Sequence, residues 1–175
     1  MDVLDRVRQT EFLGRDFLVW LWFKSETIDG QFDLGDTNAE VWFDGKITLQ
    51  SEHGEDIETI VCSGENAELR EARFALTENK KITQALIKLI IGDDEWSFIL
   101  DSTWMDFRSF KTPKVVQDKK DDPEGEGFFY EKVLLIEQAV ATVDAIFLNF
   151  IKLRLSSEWK ASELPALMKW ISEGR

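Results

Sequence analysis

Histidine, cysteine and proline are nearly absent: the 175 residues hold one His, one Cys and 3 Pro. One cysteine cannot close an internal disulfide, and one histidine without a cysteine pair leaves neither a zinc ligand set nor a base for a Ser-His-Asp or Cys-His triad. His53 lies in the polar stretch Gln50-Ser51-Glu52-His53-Gly54 and reads as a turn residue. Cys62 follows Ile60-Val61 and reads as a small buried hydrophobe. There is no glycine-rich phosphate loop, because Gly14 and Gly35 stand alone. The apolar run from Phe12 to Phe23 is broken by Arg15 and Asp16, so no membrane span is expected, and the acidic start Met1-Asp2-Val3-Leu4-Asp5 does not read as a signal peptide. These absences predict a cytoplasmic chain with no cofactor, no metal and no catalytic residue.

What is present is apolar bulk: 43% of residues are hydrophobic and 12% aromatic, enough for one core, so a single domain over 1–175 is expected. The net charge of -13 repels phosphate on average, but it is unevenly spread. Residues 31–79 hold 12 acidic and 3 basic side chains, and residues 121–144 hold 7 and 1. Residues 80–120 hold 8 basic and 6 acidic, and residues 145–175 hold 5 and 3. Two mildly basic segments therefore stand apart from two acidic ones, and a fold that joins them offers phosphate a face.

Leu13, Phe17, Leu18, Leu21 and Phe23, with Trp20 and Trp22, predict a largely buried helix over Glu11–Ser25 that starts near Gly14 or packs closely there. Alternation then predicts strands. Glu40–Phe43 and Lys46–Leu49 flank Asp44-Gly45, a type I′ hairpin signal. Ile57–Cys62 and Ala67–Leu76 read as further strands, Lys80–Ile91 and Trp96–Leu100 as a hairpin around Gly92-Asp93-Asp94, and Trp104–Phe110 as another strand. The charged, apolar-free stretch 117–127 predicts a mobile loop. A long amphipathic helix follows over Phe128–Leu155, and a short one over Ser162–Ile171 with Ser162 as cap and Pro165 in its first turn. The fold class expected is α+β: an antiparallel sheet of about six or seven strands with the N-terminal helix and the long C-terminal helix packed on one face.

Clustered carboxylates that hold Mg²⁺ are a nuclease signature, but Asp93-Asp94-Glu95 and Asp121-Asp122 both fall in predicted turns rather than on rigid strands. Trp20, Trp22, Trp42, Trp96 and Trp104 lack the interleaved Lys and Arg of a base-stacking groove and read mostly as core.

From Ala67 onward the chain resembles the RdgC family of recombination-associated proteins. The segments concerned are Glu68-Leu69-Arg70-Glu71-Ala72-Arg73, Leu76-Thr77, Lys80-Lys81-Ile82-Thr83-Gln84-Ala85-Leu86, Trp96-Ser97-Phe98-Ile99-Leu100-Asp101, Phe107-Arg108-Ser109-Phe110-Lys111 and the helix around Ile146–Leu155. Phe12-Leu13-Gly14-Arg15-Asp16-Phe17 through Phe23 is also similar to short bacterial proteins grouped with that family. The resemblance covers about half of the chain. It implies a bacterial or phage protein that binds double-stranded DNA without sequence preference, forms a ring-shaped homodimer and restrains a recombinase of RecA type, in the cytoplasm at the nucleoid. The chain departs from the family in being shorter and in reducing a helix between Leu76 and Lys80 to the turn Thr77-Glu78-Asn79. The expected phosphate contacts are Lys80, Lys81, Lys88, Arg108, Lys111 and Lys114. Two other readings stay open: an acidic protein-interaction module or DNA mimic, and a metal-dependent nuclease acting through Asp93 and Asp94.

Overall fold

The computed structural model describes residues 3–51, 57–64, 68–116 and 125–173, and within them the chain is α+β, as expected. The elements are α1 Val3–Thr27, β1 Gln31–Asp33, β2 Asn38–Ser51, β3 Thr59–Ser63, α2 Glu68–Thr77, β4 Lys80–Ile91, β5 Asp94–Asp101, β6 Phe107–Lys111, α3 Glu126–Leu155, a π-helical turn Trp159–Glu163 and α4 Leu164–Ser172. The six strands form one antiparallel-paired sheet in the order β1-β2-β4-β5-β6, with β3 pairing the same edge of β2 as β1 does. Because β3 and β4 both run antiparallel to β2, they are parallel to each other, and α2 is the crossover such strands need.

Alternation along the strands divides the sheet into two faces. Val41, Ile47, Leu49, Ile87, Leu89, Trp96, Phe98 and Leu100 point into the core, where α1, α2 and α3 cover them. Phe17 of α1 is fully buried, edge-on to Phe147 at 5.0 Å and tilted on Phe150 at 5.6 Å. Trp96 joins sheet to helix through its indole N–H, which donates to the Leu135 carbonyl at 2.9 Å. The C-terminal elements are latched to α1 by polar bonds: Trp20 Nε1 donates to Glu163 at 2.8 Å, Lys24 pairs with Glu163, and Trp170 Nε1 donates to Glu26 at 2.8 Å. The Arg73 guanidinium stacks over Trp170 at 4.6 Å and pairs with the same Glu26.

Several expectations are corrected. Ala67–Leu76 is not a strand: 68–77 form α2, whose Ala72, Ala75 and Leu76 are buried at the three-and-four spacing of a helix face. Asp44-Gly45 does not turn a hairpin, since β2 runs straight through it. Only Gly45 has positive φ (66°), and a type I′ turn needs two such residues; one makes a bulge, seen as the register shift between Phe43 and Ile47. α1 is longer than Glu11–Ser25 at both ends. The strand expected from Trp104 begins at Phe107, because Met105 takes φ 53° in the preceding turn. Ser162 caps nothing: its hydroxyl donates back to the Glu158 carbonyl at 3.1 Å inside the π-helical turn, and α4 starts at Leu164 with Pro165 in its first turn. The hairpin of β4 and β5 closes around Gly92-Asp93, as expected. Of the loop over 117–127, residues 117–124 lie outside the described residues, as does His53; Glu126 and Gly127 belong to α3.

The expectation of no membrane-length segment also changes. Among the described residues α3 alone is long and apolar enough to cross a bilayer, and 28% of its most apolar stretch is buried. Its inner face is nonetheless committed to the core through Ala139, Val143, Ile146 and Phe150.

Candidate functional site

The face of the sheet turned away from the helices carries the candidate site. Directly paired residues of adjacent strands point the same way, so the register reads out the side chains that share it. One row is Trp42, Lys88, Ser97 and Lys111; the next is Leu86, Ile99 and Arg108. Glu40, Ile90 and Glu95 bound these rows on one side, and Thr48, Gln84 and Asp101 on the other. A bulge makes the arrangement possible. Ser109 sits at φ 51°, where the pairing of β5 with β6 shifts register. The extra residue lets Phe107 and Phe110 both turn inward onto Phe98, at 4.9 and 5.2 Å, while Arg108 and Lys111 both face outward.

Carboxylates interleave with these cations. Lys88 Nζ is 2.8 Å from Glu95, and Arg108 reaches Asp101 and Asp106 at 3.1 Å each. The hydrogen bond to Glu95 raises the Lys88 pKa from its ordinary value, and the hydrogen bond to Asp106 does the same for Arg108, so both groups keep their charge at any physiological pH. Gln84 donates to Asp101 at 2.9 Å and Trp42 to Glu40 at 3.3 Å. The face is therefore a mixed platform of half-buried apolar side chains under three cations and four carboxylates.

Three of the six sequence-derived cations, Lys88, Arg108 and Lys111, thus share one face. The other three do not. Lys80 and Lys81 start β4 at its far end, where Lys80 pairs with Glu58 at 3.0 Å and lines a groove of about 920 Å³ beside α2. Lys114 is exposed beyond Pro113. Arg70 and Arg73 line the same groove as Lys80 and were not anticipated, because their segment reads as a strand rather than as the helix that carries them. Asp93 and Asp94 sit at the β4–β5 turn, and among the described residues no three His, Cys, Asp or Glu side chains group to hold a metal ion. Asp121 and Asp122 lie outside the described residues. Cys62 is buried, as expected, and so are Trp20, Trp22 and Trp96. Trp42 is only partly covered on the open face, and Trp104 is exposed. No family model matches the chain, and no curated protein matches it.

Proposed function

We propose that the chain is a non-enzymatic binding protein that contacts double-stranded DNA through the open face of its sheet, in a recombination-associated role of the RdgC kind beside a RecA-type recombinase. The observation that carries the reading is the shared face of Lys88, Arg108 and Lys111, of which Arg108 and Lys111 lie within the RdgC-like segments. Each contributes a phosphate contact without sequence information. Glu95, Asp101 and Asp106 offset two of the three, so binding is weak and belongs to low salt.

Fluorescence anisotropy of a labelled duplex, titrated across salt, tests this reading. Three neutralised phosphates give a log–log slope of about -2.7. Lys88→Glu with Lys111→Glu is expected to abolish the saturable rise, and an unchanged isotherm in that variant removes the face from consideration. A second reading, an acidic interaction module that engages a basic protein, is favoured by the same carboxylates and by the -13 net charge. In that case the duplex does not bind even at low salt, and Glu95→Lys with Asp106→Lys weakens capture of the basic partner.

A further inference from the structure

We infer that the free edge of β3, with the groove beside α2, takes up an extended peptide segment of a partner protein as an added strand. The segment it fits carries an apolar side chain followed two positions later by a basic one. The inference stands apart from both readings above, because this edge lies across the sheet from β6 and involves none of the cations or carboxylates of the open face.

The β2–β3 ladder shows which backbone groups are unused. Ser51 N–H donates to the Glu58 carbonyl at 3.0 Å, and Gly64 N–H to the Gly45 carbonyl at 2.7 Å. The register between them is unbroken, so the hydrogen-bonded pairs fall at Glu58, Ile60, Cys62 and Gly64, and the N–H and C=O of Thr59, Val61 and Ser63 point away from β2. No described residue pairs with that side of β3, and Thr59, Val61 and Ser63 are all exposed, Val61 at 53%. The other edge strands are guarded: β1 has three residues, and β6 is bent by the bulge at Ser109 and carries Arg108 and Lys111. β3 has no Pro, no Lys and no bulge. An extended backbone is the ligand that supplies donors and acceptors at the two-residue spacing of about 7 Å that such an edge presents.

The groove selects the side chains. Ile60 pairs with the buried Leu49 and so turns to the helix side, where it lines the groove of about 920 Å³ together with the exposed Phe74. α2 is the crossover from β3 to β4, so it runs back alongside β3 and forms the groove's other wall. A peptide held between an edge strand and a helix gains affinity from main-chain bonds and specificity from pockets for alternate side chains. In an antiparallel added strand the residue opposite Ile60 points into this groove against Phe74 and is apolar.

Charge selects the next inward side chain. Among the described residues that line the groove, Arg73 is held by Glu26 and Lys80 by Glu58, which leaves Arg70 to face Glu71, Glu78 and Glu173. Lys169 approaches Glu173 only at 3.6 Å, and both are exposed. Two positions beyond the apolar residue, the added strand's inward side chain lies opposite the exposed Glu58, at the end of the groove where α2 gives way to Glu78. A Lys or Arg there meets carboxylates rather than ammonium groups. A second copy of β3 is a poorer occupant, because Thr59-Ile60-Val61-Cys62-Ser63 has no basic side chain to offer.

A phage-displayed library of random short peptides, selected on the intact chain, tests this. The enriched sequences are expected to share an apolar residue with Lys or Arg two positions later. One such peptide, synthesised with a fluorescent label, then reports the register. N-methylation of the residue between the two is expected to weaken binding about tenfold or more, because its N–H bonds Thr59, whereas N-methylation of the apolar residue leaves affinity unchanged, because that N–H faces away. Val61→Pro removes an outward N–H that β2 does not use, and should cost a similar factor with the far-ultraviolet dichroism unchanged. Where that variant fails to fold, the methylation pattern on the unmodified chain decides alone. Glu95→Lys with Asp106→Lys, the changes that weaken capture under the acidic-module reading, should leave this peptide's affinity as it was. The inference is overturned by a library that yields no such motif, by methylation effects that do not alternate, or by a loss of affinity in the Glu95→Lys, Asp106→Lys variant. Self-association of the unmodified chain that Val61→Pro abolishes would make a second copy the occupant and overturn it equally.

Discussion

Phe17→Ala is expected to remove about 3–5 kcal/mol of unfolding free energy, the usual cost of truncating a fully buried aromatic. Phe17 has no exposed surface and touches three aromatic rings, Phe147 and Phe150 of α3 and Trp20 of its own helix at 6.2 Å. Those neighbours are held from behind. Trp20 is tied to Glu163, and Phe150 lies edge-on to Trp159 at 5.8 Å, so the cavity cannot collapse at low cost. Against a total stability of about 5–15 kcal/mol for a domain, this is a large fraction. Urea unfolding followed by tryptophan fluorescence should show the midpoint fall sharply at an unchanged slope. A midpoint within error of the parent would mean that α1 and α3 do not share one core.

Gly14→Ala is expected to destabilise by about 2 kcal/mol or more, although alanine is the better helix former by about 1 kcal/mol. A Cβ built on Gly14 would lie 1.9 Å from the carbonyl oxygen of Ser102 and 2.9 Å from its carbon. The obstacle is backbone, so no rotamer relieves it. The Ser102 turn is itself fixed: its N–H donates to Thr83 at 2.8 Å, Thr103 N–H donates to Asp101 at 2.9 Å, and Asp101 N–H donates to the Asp106 carbonyl at 3.0 Å. Either α1 lifts from the sheet or the turn between β5 and β6 deforms. The second response moves the start of β6, so the Arg108 pairs with Asp101 and Asp106 should loosen with it. Calorimetry reads the first effect as a lower melting temperature. A variant that melts above the parent would show that helix propensity outweighs the contact.

What the sequence disclosed follows from the range over which each signal acts. The β4–β5 hairpin was legible because Gly92-Asp93 turns it locally, and α3 because its periodicity runs for 30 residues. The close packing at Gly14 was anticipated as one of two alternatives, since glycine inside an apolar helix needs a reason. α2 was missed because ten residues with one buried face give a short pattern, even though Ala72, Ala75 and Leu76 already had helical spacing. Asp44-Gly45 misled because a positive-φ glycine serves a bulge as readily as a turn. What decides between them is β4, which pairs on both sides of the irregularity and is distant in sequence. The cations of the candidate site were visible singly, but their division between a shared face and the far end of β4 was not. That division depends on register and on the extra residue at Ser109.

The latch between α1 and the C-terminal turn also sets an order of events at the ribosome. Trp20 waits for Glu163, 143 positions further on, and Glu26 waits for Trp170, 144 further on. At about 5–20 residues per second, the first helix emerges roughly 7–30 s before its last partners exist. Through that interval the residues from Phe17 to Phe23 lack part of their eventual cover, and the nascent chain offers a chaperone an aromatic segment that the finished protein hides.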